Sequence, residues 1–245
     1  MRSIQPTSPF AGDDGSADAE LVRLLEGLRA GSTPLRDVVA RLADTRVLVP
    51  VLAEAEVTGT TEHDGAALKV DKEASAGVVA LESPDGRRAL PVFTSVAAMQ
   101  AWRSDARPVP VEARRAALSA VDEQWSLLVV DPAGPITVQV PRPAVWALAQ
   151  GVEWRPALVP TADGLEVDAE VARAVGDAAA PVQHVVRAHA EPGRKAEVAV
   201  VLALDPGLDR AGLDAVLGQV NARLAAARPI ADRVDSLELR IAAAR

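Results

Sequence analysis

Between Arg88 and Trp102, R-A-L-P-V-F-T-S-V-A-A-M-Q-A-W, a strand pattern turns into a capped helix with hardly a residue between them. The first half carries the branched and aromatic residues that suit a pleated, half-buried surface. Thr94 or Ser95 then offers a hydroxyl to the first free N–H groups of a helix, and Val96, Met99 and Trp102 follow on one of its faces. A strand needs neighbours and a helix needs something to bury its apolar stripe, so the remainder of the chain is expected to pack around this junction.

Upstream, residues 1–16 show no hydrophobic period and are expected to form a mobile tail. Leu21, Leu24, Leu25 and Leu28 recur at helical spacing and Gly31 stops them. Thr33 and Pro34 start a second helix running to Ala43, with Leu35, Val38, Val39 and Leu42 on its face. The run R-V-L-V-P-V-L-A from Arg46 reads as a strand that Pro50 confines to an edge or a bulge. Residues 54–73 are polar and read as a long excursion or a weak hairpin tip, whereas residues 76–82 and 88–94 form a hairpin across S-P-D-G-R.

Downstream, Pro108 and Pro110 punctuate the chain before a helix over residues 111–124, with Ala117, Leu118, Val121 and Trp125 at helical spacing. The continuous apolar run at residues 126–130 marks a buried central strand and ends in D-P-A-G-P. Residues 136–140 alternate, and a short helix from Pro141 to Gln150, stopped by Gly151, is expected to turn Trp146 into the core.

Turn formers collect at residues 155–164, and all four tryptophans lie before them. The expected fold is α/β with α+β mixed sheets, in two small domains, each a mixed β-sheet with packed helices. A domain over residues 17–157 leads through a linker at 158–164 to an α-β-β-α-β domain over 165–245. In the latter, Leu165, Val167, Val171 and Val175 suggest a helix, residues 182–190 and 197–204 two strands, and Leu213, Val216, Leu217, Val220 and Leu224 a long helix stopped by Pro229. A last strand alternates Leu237, Leu239 and Ile241 with Ser236, Glu238 and Arg240.

The chemistry a chain of this composition can perform is restricted. There is no cysteine, which removes disulfides, thiolate metal sites and thiol nucleophiles. A net charge of −8 opposes general binding to nucleic acid. No apolar run long enough for a membrane span and no secretory leader is apparent, so the expected compartment is the cytoplasm. Closely spaced glycines are lacking, and the one well-placed G-x-x-x-x-G, Gly207 to Gly212, is followed by Leu213 and Asp214 instead of the lysine and hydroxyl of a phosphate-binding loop. Neither a nucleophile elbow nor an H-E-x-x-H motif occurs. Glu62-His63-Asp64 reads as a solvated loop, because adjacent residues have poor geometry for one ion. His184 and His189, five apart, fall on opposite faces of a strand. Asp131 and Asp205 each end an apolar strand and precede proline, and both read as turn residues. No catalytic residue, cofactor site or metal site is expected.

One segment departs from the acidic mean. Residues 87–115 hold Arg87, Arg88, Arg103, Arg107, Arg114 and Arg115 against Asp105 and Glu112, leaving +4. Beside Trp102 these guanidinium groups form a candidate surface for a carboxylate, a phosphate or an acidic partner; the other reading is of solvent-facing arginines on separate elements.

The motif A-L-P-V-F-T-S-V-A-A-M-Q-A-W, followed by L-L-V-V-D-P-A-G-P-I-T-V-Q-V-P and W-A-L-A-Q-G, resembles the SseB family, named for enhanced serine sensitivity. The resemblance to its N-terminal domain spans residues 17–154, carried by Pro91 to Ser95, Trp102 and Asp131 to Pro135. Residues 182–241, with V-L-A-L-D-P-G before the long helix, look like the family's C-terminal domain. The resemblance implies a fold and brings no catalytic residues. It suggests a non-catalytic cytoplasmic protein that binds a protein partner or forms a homo-oligomer. The alternative is a binder of, or enzyme for, a small anionic, amino-acid-related metabolite held by the arginines near Trp102.

Overall fold

The structure is a computed structural model that describes residues 10–52, 60–63, 66–71, 79–83 and 86–242, with residues 60–63 and 66–71 described by their backbone alone. It divides into two compact units, Met1–Trp154 and Arg155–Arg245. The fold is α/β, with eight helices and mixed-sheet strands among the described residues.

The first unit runs α1 (Ala19–Arg29), α2 (Leu35–Leu42), β1 (Arg46–Val51), β2 (Thr60–His63), β3 (Ala66–Asp71), β4 (Ala80–Glu82), β5 (Arg88–Val92), α3 (Val96–Trp102), β6 (Arg107–Glu112), α4 (Ala113–Asp122), β7 (Leu127–Val130), β8 (Val138–Val140) and α5 (Arg142–Gln150). Six strands form one sheet in the order β2-β3-β4-β5-β7-β8, in which only β5 and β7 are parallel. Side chains alternate across these two strands, and both faces are buried. Leu90, Val92, Leu128 and Val130 meet the core that includes Leu21, Leu25, Val38 and Leu42 of α1 and α2 and the alanines of α4. Ala89, Phe93, Leu127 and Val129 meet Met99 and Trp102 of α3. Double burial explains the unbroken apolar run of β7.

The strand-to-helix junction forms as the sequence implies. Ser95 caps α3, its side chain accepting from the Ala98 N–H at 3.1 Å. The rings of Phe93 and Trp102 lie 5.3 Å apart in a tilted pair, tying α3 to the end of β5.

Several elements differ from expectation. Residues 107–112 form a strand, antiparallel to β1, with Pro108 opposite Pro50. Prolines at alternate positions cost no ladder bonds where the N–H faces away from the partner strand, so punctuation and strand coincide here. Helix α4 buries Ala113, Ala116, Ala117 and Ala120, whereas Leu118 is 48% exposed. A small-residue stripe, not the bulkiest apolar residue, faces the core. Trp146 is corrected in the same way: expected in the core, it is 46% exposed, because α5 buries Ala144, Val145, Ala147 and Leu148 instead. The end of the stretch expected to be a mobile tail is tied down. The Arg46 guanidinium binds Asp13 and the carbonyls of Ser16 and Thr94, and the Gly15 carbonyl accepts from the Val96 N–H at 2.9 Å. Pro84 and Asp85 of the expected S-P-D-G-R turn lie outside the described residues.

The second unit contains β9 (Leu158–Thr161), β10 (Gly164–Val167), α6 (Ala169–Ala179), β11 (Val185–Pro192), β12 (Val198–Leu204), α7 (Arg210–Ala226), α8 (Arg228–Arg233) and β13 (Leu237–Ala242). The central β12 pairs antiparallel with β11 and parallel with β13. Its Val198, Val200, Leu202 and Leu204 pack with Val171 and Val175 of α6 and Val216, Val220 and Leu224 of α7. Residues 158–167, expected to be a linker passing into a helix, form a β-hairpin. Leu165 and Val167 alternate as strand residues, and Asp168 starts α6 only after them by accepting from the Glu170 N–H at 3.0 Å. Pro229 opens α8 at its first turn, where a missing N–H is harmless.

Candidate functional site

The six arginines are distributed over four places in the first unit. Arg87 and Arg88 lie at the start of β5, with Arg88 opposite Glu82. Arg103 follows α3 and binds Asp105 at 2.9 Å, holding that carboxyl below its usual range by hydrogen bonding. Arg107 begins β6 opposite Val51, while Arg114 and Arg115 lie in the first turn of α4, beyond the other end of that strand. Six strand residues separate these positions by about 20 Å, so Arg107 and Arg114 do not converge.

Asp131 and Asp205 each have a partner that lies far off in sequence. Asp131 ends β7 in left-handed backbone (φ 49°) and is 8% exposed. Its carboxylate accepts from the Thr94 N–H at 2.8 Å and the Thr94 hydroxyl at 2.7 Å. Burial raises its pKa above the ordinary carboxylate value, against the opposing effect of these hydrogen bonds. A hydroxyl beside a carboxylate has the elements of an activated nucleophile, yet Thr94 is itself 5% exposed and offers a substrate no access. The pair fastens the ends of β5 and β7. Asp205 lies 3.2 Å from the His184 ring, both half-exposed, at the corresponding ends of β11 and β12.

A groove of about 520 Å³ opens in the first unit, within the size range of ligand pockets. It is built where α2, α4 and the end of α5 approach one another. Gly151 closes α5 in left-handed backbone (φ 69°), donating to the Leu148 carbonyl while Val152 donates to that of Ala147. This pair of bonds is a Schellman closure, and it turns Val152, Glu153 and Trp154 back along the helix. Arg114 spans the gap: its Nε donates to the Ala43 carbonyl at the end of α2 (3.0 Å) and its Nη2 to Asp44 (3.3 Å). A Cβ on Gly151 would stand 3.2 Å from Arg114 Nη1, so bulk there displaces the guanidinium. Arg36 and Asp37 form a second ion pair on the α2 wall at 3.3 Å. The apolar lining is Val39, Ala40, Ala43, Leu148, Val152 and Trp154, of which Val152 is 58% exposed. The buried indole N–H of Trp154 has no acceptor among the described residues. Among the described residues the lining contains no Ser, Thr, His or Lys.

Residues 21–147 match the family described as SseB protein N-terminal domain, over half of the chain. The chain belongs to the SseB family. The SseB match stops short of residues 182–241, whose likeness to the family's C-terminal domain is not part of it. No curated protein and no solved structure matches the chain. Among the described residues no helix is long and apolar enough to cross a membrane. Sequence reasoning reached Arg114 of this SseB groove but missed Arg36, Val152 and Trp154. The first lies on the polar side of an ordinary amphipathic helix, and the other two follow a helix stop that gave no sign of folding back. Of the Glu62-His63-Asp64 run, Glu62 and His63 belong to β2 and Asp64 lies outside the described residues.

Proposed function

We propose that this SseB-family chain acts in the cytoplasm by binding rather than by catalysis, and that the groove between α2 and the end of α5 receives a segment of a protein partner. The observation that carries the reading is the lining itself. An exposed Val152 and the Trp154 ring share the groove with two solvent-facing ion pairs, and no hydroxyl or imidazole side chain lines it among the described residues. Such a surface suits an apolar side chain flanked by a charge, which can exchange with either ion pair. Quantitative affinity capture from cell extract tests it, with Val152→Asp and Gly151→Ala compared against the unaltered chain. A partner lost with both variants supports the reading. Reproducible turnover of a metabolite by a chain that captures no partner overturns it.

The second reading is a small anionic metabolite, and Arg36 with Arg114 at one groove is what favours it. Thermal-shift screening against anionic metabolites separates the two readings. A response abolished by Arg114→Ala places the ligand in the groove, whereas one abolished by Arg103→Ala with Arg107→Ala places it near Trp102.

A further inference from the structure

We infer that β13 is the interface for a second copy of this chain, pairing edge to edge with its own twofold mate to make a continuous six-stranded sheet. The strand is at the edge of its sheet among the described residues, six residues long and free of proline. The opposite edge of this sheet, β11, carries a bulge between Val185 and Arg187 and ends in Pro192, and strands elsewhere are blunted too: Pro50 interrupts β1, Pro108 and Pro110 interrupt β6, Pro160 interrupts β9, and β8 is three residues long. An unblunted edge presents open N–H and C=O groups to another strand.

The backbone fixes which of these groups point outward. In a parallel ladder, alternate residues direct both of their polar groups to the same neighbour. The Val198 N–H donates to the Ser236 carbonyl, and the parallel register sets Val198 beside Leu237. Ser236, Glu238 and Arg240 therefore serve β12, and the N–H and C=O of Leu237, Leu239 and Ile241 face the open edge. In an antiparallel mate these three must pair among themselves, so the twofold axis passes through a residue and not between two.

Side chains then select the residue. An axis at Glu238 or at Arg240 sets like charges opposite each other. An axis at Leu239 sets Glu238 opposite the mate's Arg240 in both directions and Leu237 opposite its Ile241, while the two Leu239 residues exchange both backbone bonds. Opposed unlike charges and opposed apolar pairs stabilise a sheet, and opposed like charges weaken it. On the apolar face, Leu239 already packs against the helical core, whereas Leu237 and Ile241 are 36% and 54% exposed and gain cover from a mate. The Glu238–Arg240 pair within one chain (2.7 Å) shows that the two groups lie close enough to exchange partners. This inference is independent of the groove.

Sedimentation of the full chain over a concentration series, together with amide hydrogen exchange, tests it. The expected result is a reversible dimer in which the amides of Leu237, Leu239 and Ile241 gain protection as concentration rises, while those of Glu238 and Arg240 are protected throughout. Glu238→Arg and Arg240→Glu each place like charges across the axis and should weaken self-association by about tenfold. Mixing the two variants restores unlike pairs and should restore the dimer. A chain that stays monomeric, or a dimer whose β13 amides do not respond to concentration, overturns the inference whether or not the variants fold.

Discussion

Asp131 and Asp18 are carboxylates with opposite consequences for stability. Replacing Asp131 by Ala strands the buried Thr94 N–H and hydroxyl, and the expected loss is about 1–3 kcal/mol in urea unfolding. Asp131→Asn preserves one acceptor and should cost less. Because burial raises the folded pKa of Asp131 above 3.8, the folded chain holds that proton more tightly than the unfolded chain. Its contribution is therefore fully present below pH 3.8 and is lost as pH rises through the folded value, a slope that Asp131→Asn abolishes. Asp18 behaves in reverse. The Arg41 guanidinium, donating at 2.6 and 2.9 Å, lowers its pKa from 3.8 to about 2. Its contribution is present above pH 3.8 and disappears as pH falls towards about 2. With both side chains about one-third exposed, solvent screening reduces this to about 1 kcal/mol. Asp18→Asn retains the cap on the Leu21 N–H, so unfolding at neutral and acid pH isolates the ion pair.

At the scale of elements, the tryptophans separate what a sequence discloses from what it withholds. Trp102 lies on a helix whose other face positions are alanine and glutamine, so its inward direction was legible from spacing alone. Trp146 lies on a helix that is apolar almost all round, R-P-A-V-W-A-L-A-Q, where spacing offers no single face and bulk was a poor guide. The neighbouring α4 decides the matter: its alanine stripe packs closely against α5, and small residues at that contact leave the indole outside. Trp102→Ala should therefore cost about 3–5 kcal/mol and Trp146→Ala under about 1 kcal/mol, as measured by thermal or denaturant unfolding. The same distinction governs the site. The caps of α3 and α6 and the αL stop of α5 are local signals, and the sequence carries each one. The groove depends on Arg114 reaching residues 70 and 71 positions earlier, and the β5–β7 fastening on contacts 37 positions apart. Long-range pairings of this kind leave no periodicity in one sequence.

At the scale of the whole molecule, the core clusters of the two units have no member in common among the described residues. The clusters around β5 and β7 draw on residues up to Trp154, and the cluster around β12 draws on residues from Ala157 onward. Cores that do not share side chains can lose stability separately, and the chain carries its own reporter for this. Trp102, Trp125, Trp146 and Trp154 all lie in the first unit, so intrinsic fluorescence follows that unit alone, whereas circular dichroism follows both. Leu202, fully buried on β12, belongs only to the second core. Leu202→Ala is expected to lower the stability of the second unit by about 2–5 kcal/mol. If the units unfold independently, its effect is an early dichroism transition with an unmoved tryptophan transition. A tryptophan transition that shifts in step would instead mean that the two units unfold as one cooperative body.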